Sequence, residues 1–179
     1  MTLLTRLTPM RAISVTLVAL ALAAAPAAAD VLKVGDRVAE LDVAVDARGK
    51  AVKLKAYKGK WILVTVGAEW CKPCAKELPT WDKLAAEMKN KITFIAIDID
   101  DDPASGKRFH DKLKIKNMTR VYLPADKSGV VARYGSDTMP TTFVFDPSGI
   151  VRDVKKGFAD GDTSGEYKKM KAQLEKLIK

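Results

Sequence analysis

Two cysteines, separated by two residues, lie between an apolar run and a helical run. Cys71 and Cys74 are the only cysteines in the 179-residue chain. Residues 61–66, just before them, are apolar and rich in β-branched side chains, which is typical of a buried strand. Residues 75–90, just after them, have helical periodicity. The chain is therefore predicted to pass from a central strand into a helix at the cysteine pair.

A cysteine at the start of a helix meets unpaired backbone N–H groups and the positive end of the helix dipole. Both favour the thiolate over the thiol. A thiolate can attack a disulfide, and a second thiol nearby can then resolve the mixed disulfide. The structural alternatives are weaker, because a disulfide closing so short a loop stabilises little and a zinc site needs further cysteines. A c-type haem motif needs histidine at the position of Ala75. The pair is therefore predicted to be redox-active.

The N-terminal segment has the pattern of an export signal. Arg6 and Arg11 give it a positive start, residues 12–25 are apolar or weakly polar, and residues 27–29 form a small-residue cleavage pattern. We expect cleavage after Ala29 and delivery to the periplasm of a bacterial cell envelope, where disulfides can persist. An uncleaved membrane anchor is the alternative, although the apolar stretch is at the short end for a membrane span.

Residues 30–179 are predicted to form one domain, which can bury a core without cross-links. Its two cysteines are then not needed for stability, which again favours chemistry. The formal net charge of the whole chain is +9, carried mainly by lysines spread along the sequence. We interpret these lysines as solvated faces with a mild preference for anionic partners. Nothing in the sequence resembles a nucleic-acid-binding motif.

Alternating and apolar runs predict the remaining elements. The order is strand–helix–strand–helix, then a hairpin and a closing helix, which indicates an α/β fold with helices on both faces of a sheet. An N-terminal hairpin is expected from residues 41–45 and 51–55 around a turn at 46–50. The other predicted elements are strands at 92–97, 119–123, 141–145 and 150–154, turns at 126–129 and 146–149, a helix ending near 115, a short helix at 130–134 and a helix from about 164.

Aspartates are concentrated after the strand at 92–97, with a spacing that resembles a calcium-binding loop. Pro103 stands where such a loop needs glycine, so we reject that interpretation. Asp102 is instead predicted to cap a helix that begins at Pro103. His110, the only histidine of the chain, is predicted to lie on the surface of that helix.

Glu77 follows Cys74 by one helical turn on the apolar stripe of the predicted helix. Two interpretations remain open. It is either a solvated helix acid or a half-buried carboxyl group whose raised pKa lets it move a proton during thiol exchange. Pro79, in the same helix, cannot donate a hydrogen bond to the carbonyl of Ala75 and is expected to kink the axis.

The sequence resembles the thioredoxin superfamily and, within it, the secreted TlpA/ResA-like thiol–disulfide oxidoreductases. The matching motifs lie at residues 58–79, around the cysteines, and at residues 134–149. The resemblance extends over residues 34–179. It implies a thioredoxin fold, with a central mixed β-sheet flanked by helices on both faces, an N-terminal β-hairpin and an inserted helix–strand unit near residues 103–123.

The resemblance also implies roles for individual residues. Cys71 would be the exposed nucleophile and Cys74 the buried resolving thiol. The Met139-Pro140 peptide would be cis and face the disulfide, with Met139, Pro140 and Thr141 lining a substrate groove. The remaining residues of the cysteine motif, with supporting roles, are Trp70, Lys72 and Pro73.

Thr65 departs from the thioredoxin pattern, because thioredoxins have a buried aspartate at this position. If a proton carrier is needed, Glu77 is therefore the candidate, in a position where this subfamily often has an acid. Met139 before the proline is also less usual and leaves the direction of the redox reaction open.

The leading hypothesis is an envelope reductase of protein disulfides, for example in cytochrome c maturation. It would be a monomer that takes electrons from a membrane-bound donor and needs no cofactor beyond the Cys71–Cys74 disulfide. Pro73 before the second cysteine resembles the reducing family members, whereas oxidases and isomerases, the first alternative, more often have histidine there. The second alternative is a binding module in which Cys71, Cys74 and Met139 hold a soft metal such as Cu(I).

Overall fold

The structure is a computed structural model that describes residues 30–124, 129–159 and 161–179. The predicted export signal at residues 1–29, and residues 126–128 of the predicted turn, lie outside the described residues. None of the helices within the described ranges has the length and apolar character needed to cross a bilayer.

The described residues form six strands, three α-helices and three 3₁₀ helices. The strands are β1 Val45–Asp46, β2 Trp61–Gly67, β3 Ile92–Asp98, β4 Thr119–Tyr122, β5 Thr141–Phe145 and β6 Val151–Lys156. The α-helices are α1 Lys72–Met88, α2 Pro103–Lys112 and α3 Thr163–Leu177, and the 3₁₀ helices are Leu54–Tyr57, Val131–Tyr134 and Ser136–Thr138.

The strands make one mixed sheet in the order β1-β4-β3-β2-β5-β6. β2, β3 and β4 are parallel to one another, and β1, β5 and β6 are antiparallel to their neighbours. The carboxyl ends of the parallel strands, at Gly67, Asp98 and Tyr122, therefore meet along one side of the sheet, which we call the carboxyl edge. This arrangement confirms the predicted α/β class and mixed sheet.

The two faces of the sheet pack into two different cores. On β3, Ile95 and Ile97 contact the core that contains the N-terminal segment and the 3₁₀ helix Val131–Tyr134, whereas Phe94 and Ala96 contact the core of the three α-helices. Helices therefore lie on both faces, as predicted: the three α-helices cover one face, and the 3₁₀ helices Leu54–Tyr57 and Val131–Tyr134 lie on the other. The β2–α1–β3 and β3–α2–β4 crossovers move in the same direction along the sheet, so their right-handedness places both helices on the same side.

The predicted N-terminal hairpin is present, but its two arms are shorter than predicted. Val45–Asp46 pairs with β4 at the edge of the sheet and also bridges to Ala51. The N–H groups of Asp46 and Val52 donate to the carbonyls of Lys50 and Ala44 at 2.8 and 2.9 Å, which closes a short hairpin. The second predicted strand, residues 51–55, runs into the 3₁₀ helix Leu54–Tyr57. Glu40 explains the difference, because its carboxylate accepts the first backbone N–H groups of that turn, at 2.5 and 3.0 Å.

The inserted helix–strand unit is present as α2 and β4, and Asp102 caps α2 by accepting the N–H of Ala104 at 2.9 Å.

The surface position predicted for His110 is wrong, since only 1% of this residue is exposed. The helix turns His110 toward the sheet, where its Nδ1 lies 3.4 Å from the Tyr122 hydroxyl. Burial lowers the pKa of His110 to about 4, and the charge of Arg120 acts in the same direction.

Candidate redox site

Cys71 is the N-cap residue of α1, at the carboxyl edge. Its sulfur accepts the backbone N–H of Cys74 at 3.3 Å. Its own N–H donates to the carbonyl of Ala68 at 3.0 Å, which turns the chain from β2 into the helix. Pro73 occupies the first helical turn, where a backbone N–H is not needed. The first cysteine therefore lies at the helix N-terminus, as the sequence predicts.

Cys71 and Cys74 form a disulfide, with their Cα atoms 5.3 Å apart. Cys74 is fully buried and Cys71 retains 5% of its surface, so the order of accessibility is as expected although Cys71 is less exposed than predicted. Gly67, at the end of β2, makes room for the inner sulfur. A Cβ at Gly67 would lie 3.1 Å from the Cys74 Sγ, so the absence of a side chain there lets the sulfur pack against the strand.

Glu77 is buried one turn beyond Cys74, so it is not a solvated helix acid. The Thr65 hydroxyl donates to one carboxyl oxygen at 2.5 Å, and the Thr142 hydroxyl lies 2.9 Å from the other. The Trp81 indole N–H donates to the Thr142 hydroxyl oxygen at 3.4 Å. Helix α1 runs unbroken across Pro79, so the same helix carries both cysteines and this carboxyl group.

Burial raises the pKa of Glu77 to about 7. The hydrogen bonds from Thr65 and Thr142 stabilise the carboxylate and oppose that rise, and the charge of Lys155 opposes it further. An acid with a pKa near neutrality can both accept and release a proton under physiological conditions. The site therefore contains a buried carboxyl group with a raised pKa on the same helix face as the inner cysteine.

A shallow groove of about 590 Å³ lies over the outer cysteine. Residues 70–73 line one side of it, and residues 136–139 line the other. The Met139-Pro140 peptide is cis, as expected. Trp70 is 68% exposed and places a large apolar surface beside Cys71. The groove could accept an extended segment of another protein that contains a disulfide.

Thr141 does not line the groove with its side chain, contrary to the expectation. It is fully buried, and its hydroxyl donates to the carbonyl of Thr138 at 2.9 Å. Residues 136–138 take that place instead; they lie within the matching motif at residues 134–149, but the resemblance assigned them no role. Gly135 introduces them at a φ of 69°, and a Cβ there would lie 2.9 Å from the Thr141 hydroxyl.

Acidic residues at the carboxyl edge do not combine with the cysteines into a metal centre. In the part of the chain that the structure describes, no group of three or more His, Cys, Asp or Glu side chains is arranged to hold a metal ion. Asp98 and Asp100 are both buried close to the start of α2. Burial, together with the charge of Asp100, raises the pKa of Asp98 to about 8.

Known proteins resemble this chain in sequence and in fold. A family model described as the AhpC/TSA family matches residues 34–154. The thiol-disulfide oxidoreductase ResA of Bacillus thuringiensis is 33% identical over 129 residues, which is 71% of this chain and 72% of the relative. The thioredoxin-like protein YneN of Bacillus subtilis is 32% identical over 109 residues, 61% of this chain and 64% of the relative.

The fold has a counterpart among solved structures. The thioredoxin domain of a thiol-disulfide oxidoreductase from Bacteroides vulgatus superposes with a TM-score of 0.68 at 23% identity, covering 83% of this chain and 99% of that domain. At this identity the likeness supports the thioredoxin fold and nothing finer.

Proposed function

Because the chain belongs to the AhpC/TSA family and is a thiol–disulfide oxidoreductase, we propose that it reduces disulfides of other proteins through the Cys71–Cys74 couple. The observation that supports this most directly is the order of groups along α1. Cys71 is the N-cap, Cys74 lies inside the first turn, and the buried Glu77 follows one turn later. In the proposed reaction these three residues act in turn as nucleophile, resolving thiol and proton acceptor.

The reaction starts from the dithiol. The Cys71 thiolate attacks one sulfur of the substrate disulfide, forms a mixed disulfide and releases the other substrate sulfur as a thiolate. The Cys74 sulfur, once deprotonated, attacks the Cys71 sulfur and displaces the second substrate thiolate. The substrate gains two electrons and is released as two thiolates, which take up protons from the solvent, and the protein is left with the Cys71–Cys74 disulfide of the structure.

Glu77 takes the proton of Cys74 in the second step. A buried thiol cannot lose its proton to bulk water, so a buried acceptor on the same helix face speeds its attack. Thr65, which lies where a thioredoxin has an aspartate, has no titratable group and serves as a hydrogen-bond donor to Glu77. Release of the proton from Glu77 then resets the site.

The substrate segment lies in extended form in the groove, beside the backbone of Met139 and under the cis peptide to Pro140. Main-chain pairing suits a partner of varied sequence, because it does not depend on the partner's side chains. Trp70 and Lys72 border the groove next to Cys71 and contact the residues that flank the substrate disulfide. Pro73 has no backbone N–H, so it leaves no unpaired hydrogen-bond donor in the first turn of α1.

The protein acts in the periplasm as a monomer, after removal of residues 1–29. A membrane-bound dithiol donor returns it to the reduced form, and cytochrome c maturation is the process in which such a reductase is needed. The export pattern at residues 1–29 and the thiol chemistry of the relatives support this setting.

The reduction potential of the Cys71–Cys74 couple tests the direction of the reaction. A value near that of thioredoxin, about −270 mV, is expected for a reductase. A value above about −150 mV is in the range of an oxidant and would contradict the proposal.

Trapping experiments test the roles of the two cysteines. Cys74→Ala should accumulate mixed disulfides with envelope proteins, because the step that resolves them is lost. Cys71→Ala should accumulate none, since the buried Cys74 cannot reach a substrate. Equal trapping by both variants would show that the assignment of nucleophile and resolving thiol is wrong.

A further inference from the structure

A long-range hydrogen bond fixes the chain immediately before the cysteines. The backbone N–H of Glu69 donates to the Asp100 carboxylate at 2.9 Å, across 31 residues of sequence. The N–H of Ile99, one residue before Asp100, donates to the carbonyl of Gly67, two residues before Glu69, at 3.0 Å, and this is the last backbone contact of the parallel pair. The Asp100 side chain thus continues the contact between β2 and β3 beyond the point where their backbones separate.

Asp100 is itself held in place by buried neighbours. It is buried, and its N–H donates to the Asp98 carboxylate at 3.1 Å. Asp98 is buried between β3 and α2, where it lies so close to Gly106 that a Cβ there would come within 1.9 Å of its Oδ1. The position of the Asp100 carboxylate is therefore set by two packed elements and not by the exposed loop it contacts.

The loop that Asp100 holds has little other support. Glu69 and Trp70 are both exposed, and they lie between the end of β2 and the N-cap at Cys71. Among the described residues, the bond to Asp100 is the one hydrogen bond that ties either of them to a distant element. A change at Asp100 should consequently move the Cys71 sulfur relative to the start of α1.

We propose that Asp100 is a positioning residue for the redox pair. By accepting the Glu69 N–H it holds the chain ahead of α1, so that the Cys71 sulfur stays where the N–H of Cys74 can reach it, at 3.3 Å in the structure. Asp100 acts through the backbone and does not touch the reacting sulfurs. The inference rests on the proposed function, since it assigns a support for that same reaction.

The test compares Asp100→Ala with Asp100→Asn. The asparagine keeps an oxygen that can accept the Glu69 N–H, whereas the alanine removes it. We expect Asp100→Ala to lower kcat/KM toward a protein disulfide by about ten- to a hundredfold, because a small displacement of a reacting group has a cost of this size. The pH midpoint for alkylation of Cys71 by iodoacetamide in the reduced protein should also rise. Asp100→Asn should restore both values toward the parent.

Asp82 provides a matched control. It is also a buried aspartate on which backbone N–H groups converge, at 2.9 Å from Lys116 and 2.7 Å from Asn117. It lies eight residues beyond Cys74 along α1, about 12 Å along the helix axis. Asp82→Ala should lower the free energy of unfolding and leave the alkylation midpoint unchanged. If Asp100→Ala does not fold, Asp100→Ser, whose hydroxyl is one bond too short to reach Glu69, replaces it.

Three results would overturn the inference: parent values in Asp100→Ala, an Asp100→Asn variant as impaired as the alanine, or an equal shift of the midpoint in Asp82→Ala. The alkylation measurement needs no substrate. A parent protein that fails to reduce protein disulfides would therefore contradict the proposed function, while the alkylation midpoints would still decide the role of Asp100.

Discussion

Glu77 shows how the fold holds a proton next to the cysteines. Transferring a carboxylate from water into the interior is unfavourable unless hydrogen bonds compensate, and the protonated form is favoured as a result. The hydroxyls of Thr65 and Thr142 compensate only in part, since the pKa of Glu77 still rises to about 7. The same residue is thus a cost to stability at neutral pH and a proton acceptor for the proposed reaction.

The stability of the protein should depend on pH through Glu77. The ordinary pKa of this group is 4.5 and the folded value is about 7, so between these values the folded state binds more protons than the unfolded state. The stabilisation that proton binding by Glu77 gives the folded state is fully present below the ordinary pKa of this group. It is lost as the pH rises through the folded pKa. Glu77→Gln should remove the contribution of Glu77 and leave that of Asp98, whose pKa is also raised, as urea unfolding of the oxidised proteins between pH 4.5 and 8 would show.

The quantity to compare is the difference in unfolding free energy between the parent and Glu77→Gln. It should fall as the pH rises, and a difference that stays constant would mean that Glu77 is ionised in the folded state. The subtraction is needed because His110, whose pKa is lowered to about 4, contributes with the opposite sign in nearly the same range. The stabilisation that neutral His110 contributes is present above its ordinary pKa and is lost as the pH falls through its folded pKa.

The sequence left two environments open for Glu77, one solvated and one half-buried. For His110 it predicted the wrong environment, the surface. Short-range helical geometry places Glu77 one turn beyond Cys74 on the apolar stripe of the helix, which left both environments of this carboxyl group open. The environment of His110 depends on Tyr122, which lies on another element and 3.4 Å from the imidazole. Helical periodicity carries no information about such a partner, so it could not predict that this histidine is buried.

The contact between α2 and β3 should be intolerant of added volume at Gly106. Alanine is the better helix former by about 1 kcal/mol, but a Cβ at Gly106 would lie 1.9 Å from the buried carboxylate of Asp98. Overpacking between fixed elements costs about 1–3 kcal/mol, so Gly106→Ala should lower the free energy of unfolding. Urea denaturation, followed as a single cooperative transition, measures the change in the free energy of unfolding directly.

Gly165 in α3 is the control for that experiment. A Cβ there would also lie 1.9 Å from a carboxylate, that of Asp162. Asp162 is exposed and can rotate away, at the loss of an N-cap bond that is worth about 1 kcal/mol. The gain in helix propensity offsets that loss, so Gly165→Ala should be close to neutral. Equal effects of the two substitutions would show that the α2–β3 contact is not rigid.

The elements that the sequence predicted well are those buried in the sheet. The strand at 61–66 is observed as Trp61–Gly67 and the strand at 141–145 as Thr141–Phe145, because apolar β-branched runs have few other stable conformations. The second arm of the N-terminal hairpin is shorter than predicted because Glu40 accepts the backbone N–H groups of Leu54 and Lys55. Alternation alone does not distinguish a strand from a segment held in this way.

The N-terminal segment, residues 31–44, closes the face of the sheet that the α-helices leave open. The N–H of Leu32 donates to the carbonyl of Arg133 at 2.8 Å, and the N–H of Val38 donates to that of Gly149 at 2.7 Å. Leu32 and Leu41 belong to the core that also contains Phe143. The segment is therefore part of the domain core, and the contacts that show this join parts of the chain too distant for any local pattern to reveal.

Tyr134 connects this N-terminal segment to the groove. Its ring packs edge-on against Phe143, and its hydroxyl donates to the carbonyl of Ala39, 95 residues away. Gly135 and the groove residues 136–139 follow it directly. The hydroxyl thus joins one side of the candidate substrate groove to the segment that covers the open face of the sheet.

Tyr134→Phe should weaken the attachment of the N-terminal segment, because it removes the hydroxyl but keeps the aromatic ring in the core. It leaves the Ala39 carbonyl without its donor, which should lower the free energy of unfolding by about 1–3 kcal/mol. Hydrogen exchange should show the amides of Leu32 and Val38 losing protection beyond this global change, because their hydrogen bonds hold the same segment. Tyr57→Phe is the control, since the Tyr57 hydroxyl makes no hydrogen bond with the described residues. If both substitutions reduce protection at Leu32 equally, the Tyr134 hydroxyl does not hold the segment. In that case apolar packing alone attaches it to the sheet.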